Sequence, residues 1–160
     1  MRRKRKCYFP GYPEDPPPIS ITVNRRIAFN EADPMGIAWH GRYVQYFEHA
    51  SAELRRQCGF SYEDFFKAGL YAPVVQLHID YHEPALLDEN ISITASMVWT
   101  ESARVNIEYS LHRENGNLAT SGYTVQMFTD SGTGEPCIVS PEIQLQCRRR
   151  WIAGDFKHMQ

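Results

Sequence analysis

The sequence predicts an α+β fold in which one long amphipathic helix is wrapped by a curved antiparallel sheet. Three observations predict it. Apolar residues alternate with period two near the start of the chain and again through its second half; between these regions the period switches once to helical spacing; and turn residues, among them Asn115-Gly116, break the alternating runs apart. A long helix with an apolar stripe must have that stripe covered, and a sheet is what the rest of the chain supplies.

The elements follow in order. Ile19, Ile21 and Val23 alternate with Ser20, Thr22 and Asn24, which predicts a first strand over 19–29. Asn30 to Ala38 contains Asp33-Pro34 and Gly36 and reads as an irregular loop. From His40 onward Tyr43, Phe47, Ala50, Leu54 and Cys58 keep helical spacing until Gly59, giving a helix of about five turns. Ser61 with Asp64 makes a cap for a short helical turn over 61–68. After Pro73, Val75, Leu77, Ile79 and Tyr81 share one strand face and Gln76, His78, Asp80 and His82 the other. Two further alternating runs, Ile91–Trp99 and Ala103–Leu111, precede the Asn115-Gly116 turn, a strand over 118–128 and a short strand over 137–139. Ser140-Pro141-Glu142 opens a C-terminal helix to about Trp151, which accounts for Ile143, Leu145 and the basic last turn.

One domain over 19–151 is expected, with a flexible basic and proline-rich arm over 1–18 and a C-terminal tail over 152–160. With 160 residues and 42% hydrophobic composition, the chain can bury roughly two-thirds of its unfolded surface without a staple. A net charge of -2 gives no whole-protein reason for nucleic-acid binding. The basic run Arg2, Arg3, Lys4, Arg5 and Lys6 suits a solvated arm, or one that touches an acidic partner, a phosphate or a membrane surface. Cys7, Cys58, Cys137 and Cys147 show neither zinc-ligand spacing nor a disulfide framework. No apolar run reaches the ~18 residues of a membrane span, and no apolar signal core follows the basic start. The reducing cytoplasm is therefore the expected compartment.

The stretch that carries chemistry is Asp33-Pro34-Met35-Gly36-Ile37-Ala38-Trp39-His40-Gly41-Arg42-Tyr43. It joins a strand to the start of the long helix. A helix N-terminus presents unpartnered N–H groups and partial positive charge, which suits a developing oxyanion. A carboxylate on the preceding loop can face the same point, and Gly36 allows a tight turn with room for a substrate. The spacing alone also fits an aspartate that merely places favourable charge at a helix start.

Ile21–Phe29, the Asp33–His40 loop, Tyr43 and Tyr46-Phe47-Glu48 together closely resemble the 4-hydroxybenzoyl-CoA thioesterase family. They are also similar to the Tol-Pal-associated acyl-CoA thioesterases, which carry a histidine matching His40. The likeness extends through Pro73-Val74-Val75 and Asp80-Tyr81-His82-Glu83-Pro84-Ala85 and covers about 19–145. The resemblance implies a hotdog fold, with a five- or six-stranded antiparallel sheet around the helix. It implies a homodimer or homotetramer with the active site at a subunit interface. It further implies thioester hydrolysis, with Asp33 as nucleophile or general base, the N–H at His40 on the thioester carbonyl, and the His40 side chain as a second catalytic candidate. Gly36, Ile37, Trp39 and Tyr43 are the expected substrate-binding residues. No cofactor or metal is expected; coenzyme A or an acyl-carrier protein enters as part of the substrate. In the 4-hydroxybenzoyl enzymes, basic residues after a hairpin tryptophan meet the CoA phosphates. Here Trp99 is followed by Thr100-Glu101-Ser102-Ala103-Arg104, which leaves an acyl-carrier protein open as the alternative carrier.

Lesser candidates complete the reading. His78, Asp80 and His82 have a spacing that suits zinc or manganese, but also a polar sheet face. Glu48 is expected as a buried glutamate bonding the loop backbone, and Tyr43, Tyr46 and Phe47 as core or pocket wall. The rival functions are a hotdog hydratase or dehydratase, for which His40 with Glu48 would serve, and a non-catalytic acyl-binding protein.

Overall fold

The computed structural model describes residues 7–159; the basic run Arg2–Lys6 lies outside the described residues. The ordered elements are β1 (Ile19–Arg26), α1 (Tyr43–Gln57), α2 (Tyr62–Ala68), β2 (Leu70–Tyr71), β3 (Val74–Tyr81), β4 (Asn90–Val98), β5 (Arg104–Arg113), β6 (Leu118–Met127), β7 (Thr129–Asp130) and α3 (Glu142–Ala153). Five strands form one antiparallel sheet in the order β1-β4-β5-β6-β3, and β2 pairs with β7 in a separate ribbon. No helix among the described residues is long and apolar enough to cross a membrane.

The helical stripe seats α1 on this sheet. Tyr43, Tyr46, Phe47, Ala50, Leu54 and Cys58 are all buried. They meet the inward residues Ile91, Ile93, Ala95 and Met97 of β4 and Val105, Ile107, Tyr109 and Leu111 of β5 within a single core. Each buried Leu or Phe contributes about 1.5–3 kcal/mol relative to exposure. Phe47 stacks on Tyr109 with ring centroids 4.4 Å apart and planes 6° apart. Opposite Tyr109, β6 offers Gly122, which leaves the space that Phe47 fills.

Several boundaries differ from the expectation for physical reasons. The first strand stops at Arg26 rather than residue 29: Ile27 instead exchanges hydrogen bonds with the 88–89 loop, and a 3-10 turn follows at Phe29–Glu31. The long helix opens with a 3-10 turn at His40–Arg42 before α1 proper. The short strand over 137–139 does not form. Asp130 Oδ1 accepts from the N–H groups of Gly132 and Thr133, so the chain doubles back tightly. Only Pro136 and Cys137 then reach Thr129 and Phe128, and Ile138 is left 96% exposed.

In α3 the buried face is Gln144, Cys147 and Trp151, not Leu145. Gln144 belongs inside because its Nε2 donates to the carbonyls of Ser102 and Arg104, each at 2.9 Å. The segment expected as a tail turns at Gly154, where Phe156 is buried under the Arg150 guanidinium. The described part of the expected flexible arm also meets the fold. The Pro17 carbonyl accepts from Trp151 Nε1, and Tyr8 and Phe9 lie on the outer face of the sheet, where both backbone N–H groups donate to Glu108.

Candidate active site

The Asp33 loop is held from three sides. Within it, Asp33 N–H donates to the Ile37 carbonyl at 2.8 Å and Gly36 N–H to the Asp33 carbonyl at 3.0 Å. Gly36 takes φ of +75°, a backbone that favours glycine, and a β-carbon there would point into open space. Across the loop Ala38 N–H donates to Ala85, and Leu87 N–H to Gly36. Behind it, Glu31 is buried: its carboxylate accepts from Arg25 Nη2 at 2.6 Å and from Ala28 N–H at 2.8 Å. The Glu31 carbonyl accepts from Trp39 N–H at 2.9 Å.

Glu48, expected in that supporting role, does not fill it. Its side chain is 49% exposed and accepts from Arg55 and Tyr62. The buried carboxylate behind the loop is Glu31. The sequence signal for it is the acidic residue three places after Ala28, whose N–H it receives at the turn preceding the loop.

Asp33 Oδ1 accepts from Met35 N–H at 2.8 Å, which fixes the carboxylate in an Asx turn; Oδ2 has no hydrogen-bond partner among the described residues. The N–H groups of His40 and Gly41, at the start of the helical segment, likewise meet no acceptor among the described residues. Asp33, Ile37, His40 and Tyr43 line one cleft of about 440 Å³ together with Tyr81 and His82. That volume suits a small organic group. Met35, Ala38, Glu83 and Pro84 complete the wall.

Of the six expected site residues, the structure thus brings Asp33, Ile37, His40 and Tyr43 to one cleft. Gly36 and Trp39 are not among the lining residues. Gly36 shapes the turn. The Trp39 ring folds back over Gly41, where a β-carbon would lie 2.2 Å from it, and over the His40 ring.

Tyr81 and Glu83 carry no assigned role in the sequence, and His82 enters it only with His78 and Asp80, as a possible metal ligand or part of a polar sheet face. Their signal was the end of an apolar alternation just before Pro84. Tyr81 Oη donates to the His40 carbonyl at 2.7 Å, tying the β3 end to the helix start, and its ring packs edge-on against Tyr43. Burial pushes the Tyr43 phenol above its ordinary value, so it stays protonated at neutral pH. Arg113 binds both Glu83 and Glu89 and so secures the loop that follows β3. His78 pairs with Asp80 at 3.1 Å and His82 with Ser121 at 2.9 Å. No group of three or more potential metal-ligating side chains occurs among the described residues.

The sequence profile of the Thioesterase-like superfamily matches residues 27–147, well over half of the chain and including the whole Asp33 loop. The chain belongs to that superfamily. Among curated relatives of this thioesterase-like chain, the acyl-CoA thioesterase YbgC of Haemophilus influenzae is 28% identical over 121 residues, covering 74% of this chain and 88% of the relative. The 1,4-dihydroxy-2-naphthoyl-CoA hydrolase of Crocosphaera subtropica is 24% identical over 96 residues, covering 59% and 70% respectively. Among solved structures, the DHNA-CoA thioesterase of Staphylococcus aureus superposes with a TM-score of 0.73 at 24% identity, covering 87% of this chain and 95% of its own. That likeness establishes the fold: the hotdog architecture implied by the resemblance is the one observed.

Proposed function

We propose that this chain hydrolyses an acyl- or aryl-CoA thioester to the free acid and the thiol, with Asp33 as the reacting carboxylate. The observation that carries this is the shared cleft. The Asp33 carboxylate lines it, and so does His40, whose N–H begins the helical segment with its hydrogen-bonding capacity unspent. A thioester carbonyl placed between them would have its oxygen polarised by N–H groups and its carbon open to attack.

Two routes fit this arrangement. As nucleophile, a carboxylate oxygen attacks the carbonyl carbon, the C–S bond breaks, the thiolate leaves, and water hydrolyses the resulting anhydride. As general base, the carboxylate takes a proton from a water that attacks directly. A thiolate is a good leaving group, so neither route needs a strong acid. The His40 side chain is a candidate donor to the departing sulfur. The names of the relatives favour coenzyme A as carrier.

A panel of short, long, aromatic and 3-hydroxyacyl thioesters of CoA and acyl-carrier protein tests the proposal. Release of free thiol with at least one CoA substrate is expected; dehydration without hydrolysis, or no turnover on any of them, overturns it.

We also propose that two copies join through β3. This strand is a sheet edge, paired with β6 on one side, and Val75 and Leu77 are 48% and 44% exposed along it. An edge of this kind is a template for pairing with a second copy. Leu77→Lys is expected to shift the protein to monomer in analytical ultracentrifugation; an unchanged sedimentation coefficient would remove β3 as the interface.

A further inference from the structure

The N-terminal arm reaches His82, a residue of the cleft wall, through one chain of hydrogen bonds on the outer face of the sheet. Asp80 on β3 and Ser121 on β6 stand opposite each other in register. The Tyr8 phenol sits between them: Oη donates to Asp80 Oδ2 at 2.8 Å and lies 2.7 Å from Ser121 Oγ. Ser121 Oγ is in turn 2.9 Å from Nε2 of His82, which lines the cleft.

Counting hydrogens fixes the direction of every link. A carboxylate only accepts, so the single Tyr8 proton goes to Asp80. Ser121 must then donate its own proton to Tyr8, and its oxygen accepts from His82. His82 therefore carries its proton on Nε2, and in the neutral ring the acceptor lone pair belongs to Nδ1. The Tyr8 ring is held independently, packing against His78 and Tyr123 with centroids 5.6 and 5.1 Å away. Burial pushes its phenol up to about 12, which keeps it a donor at neutral pH.

The same phenol also braces β3 where bracing matters. β3 lies at the sheet edge; its far end carries Tyr81, which holds the His40 carbonyl, and leads directly into His82 and Glu83. We propose that Tyr8 is a positioning residue for the cleft, fixing through Ser121 the tautomer and placement of His82 on the wall that Asp33 shares. The kinetic side of this rests on the thioesterase reading; the tautomer does not.

The test uses the full chain with Tyr8→Phe, Ser121→Ala and the double variant. Long-range 1H–15N NMR of the imidazoles reports the His82 tautomer, with its signal assigned by loss in His82→Gln. The wild type should show the Nε2–H form, and both single variants a mixture of tautomers. On a CoA thioester that the wild type hydrolyses, KM should rise about threefold to tenfold in each single variant, as loss of one hydrogen bond implies, with kcat within about twofold. The double variant should be no worse than Ser121→Ala alone, since both remove the same chain. Persistence of the Nε2–H form in both single variants overturns the proposal, as does additivity in the double variant. A tautomer change without thioester turnover in any protein, the wild type included, would support the hydrogen-bond chain and count against the thioesterase reading.

Discussion

Asp33→Asn is expected to lower kcat for thioester hydrolysis by about a thousandfold while leaving the fold intact. The asparagine side-chain oxygen can still accept the Met35 N–H, so the Asx turn that shapes the loop survives. What disappears is the negative oxygen: an amide neither attacks a thioester carbonyl nor takes a proton from water at neutral pH. Both proposed routes therefore fail together. Steady-state hydrolysis assays, with circular dichroism and thermal melting as fold controls, check this. A folded variant with near wild-type turnover would reject Asp33 as the reacting group. Mass spectrometry of the wild-type enzyme quenched during turnover separates the two routes, since only the nucleophilic one leaves the acyl group on Asp33.

Gly122→Ala is expected to be the most damaging small substitution in the sheet, for reasons of space rather than chemistry. A β-carbon at this position would lie 2.2 Å from the His78 backbone carbonyl oxygen and 2.9 Å from Phe47. Neither neighbour yields easily. The carbonyl belongs to the strand paired with β6, and Phe47 is buried and stacked on Tyr109. Overpacking of this kind costs about 3 kcal/mol, corresponding to a fall in melting temperature of roughly 6–12 °C for a chain of this size. Because relief requires moving β3 away from β6, the Tyr81 hold on His40 should loosen as well, and hydrolysis should fall with stability. Thermal unfolding and the residual activity of the folded fraction measure the two effects. A melting temperature within a degree of wild type would show that the sheet accommodates the methyl group.

The two substitutions mark a division in what could be read from the chain. The Asp33 loop is local: its carboxylate, its glycine and its entry into a helix occupy consecutive positions, so their shared role follows from short-range backbone geometry. The strand and helix periods were legible for the same reason, since a period of two or of 3.6 residues records which face of an element is dry. The errors lie where a side chain's environment is set by distant segments. Glu48 follows Phe47 on the helix and reads in the sequence as a buried partner of the loop backbone, yet it turns outward to Arg55 and Tyr62, while Glu31 takes the buried position. Leu145 reads as core, but Gln144 is buried because the carbonyls of Ser102, in the β4–β5 connection, and Arg104, at the start of β5, need its amide. Ile138 and Val139 are both apolar and β-branched, yet both are exposed, and no strand among the described residues pairs with them.

The sequence by itself determined the α+β class, the single helix within an antiparallel sheet, and the loop where a carboxylate precedes a helix start. Only the tertiary structure decided that Tyr81, His82 and Glu83 share a cleft with Asp33 and that Tyr8 reaches His82 through Ser121. The physical reason is sequence separation. Hydrophobic periodicity is written into neighbouring residues, whereas the meeting of residues 8, 82 and 121 depends on β3 pairing with β6, a strand far along the chain, instead of with β4, the next strand of the same sheet.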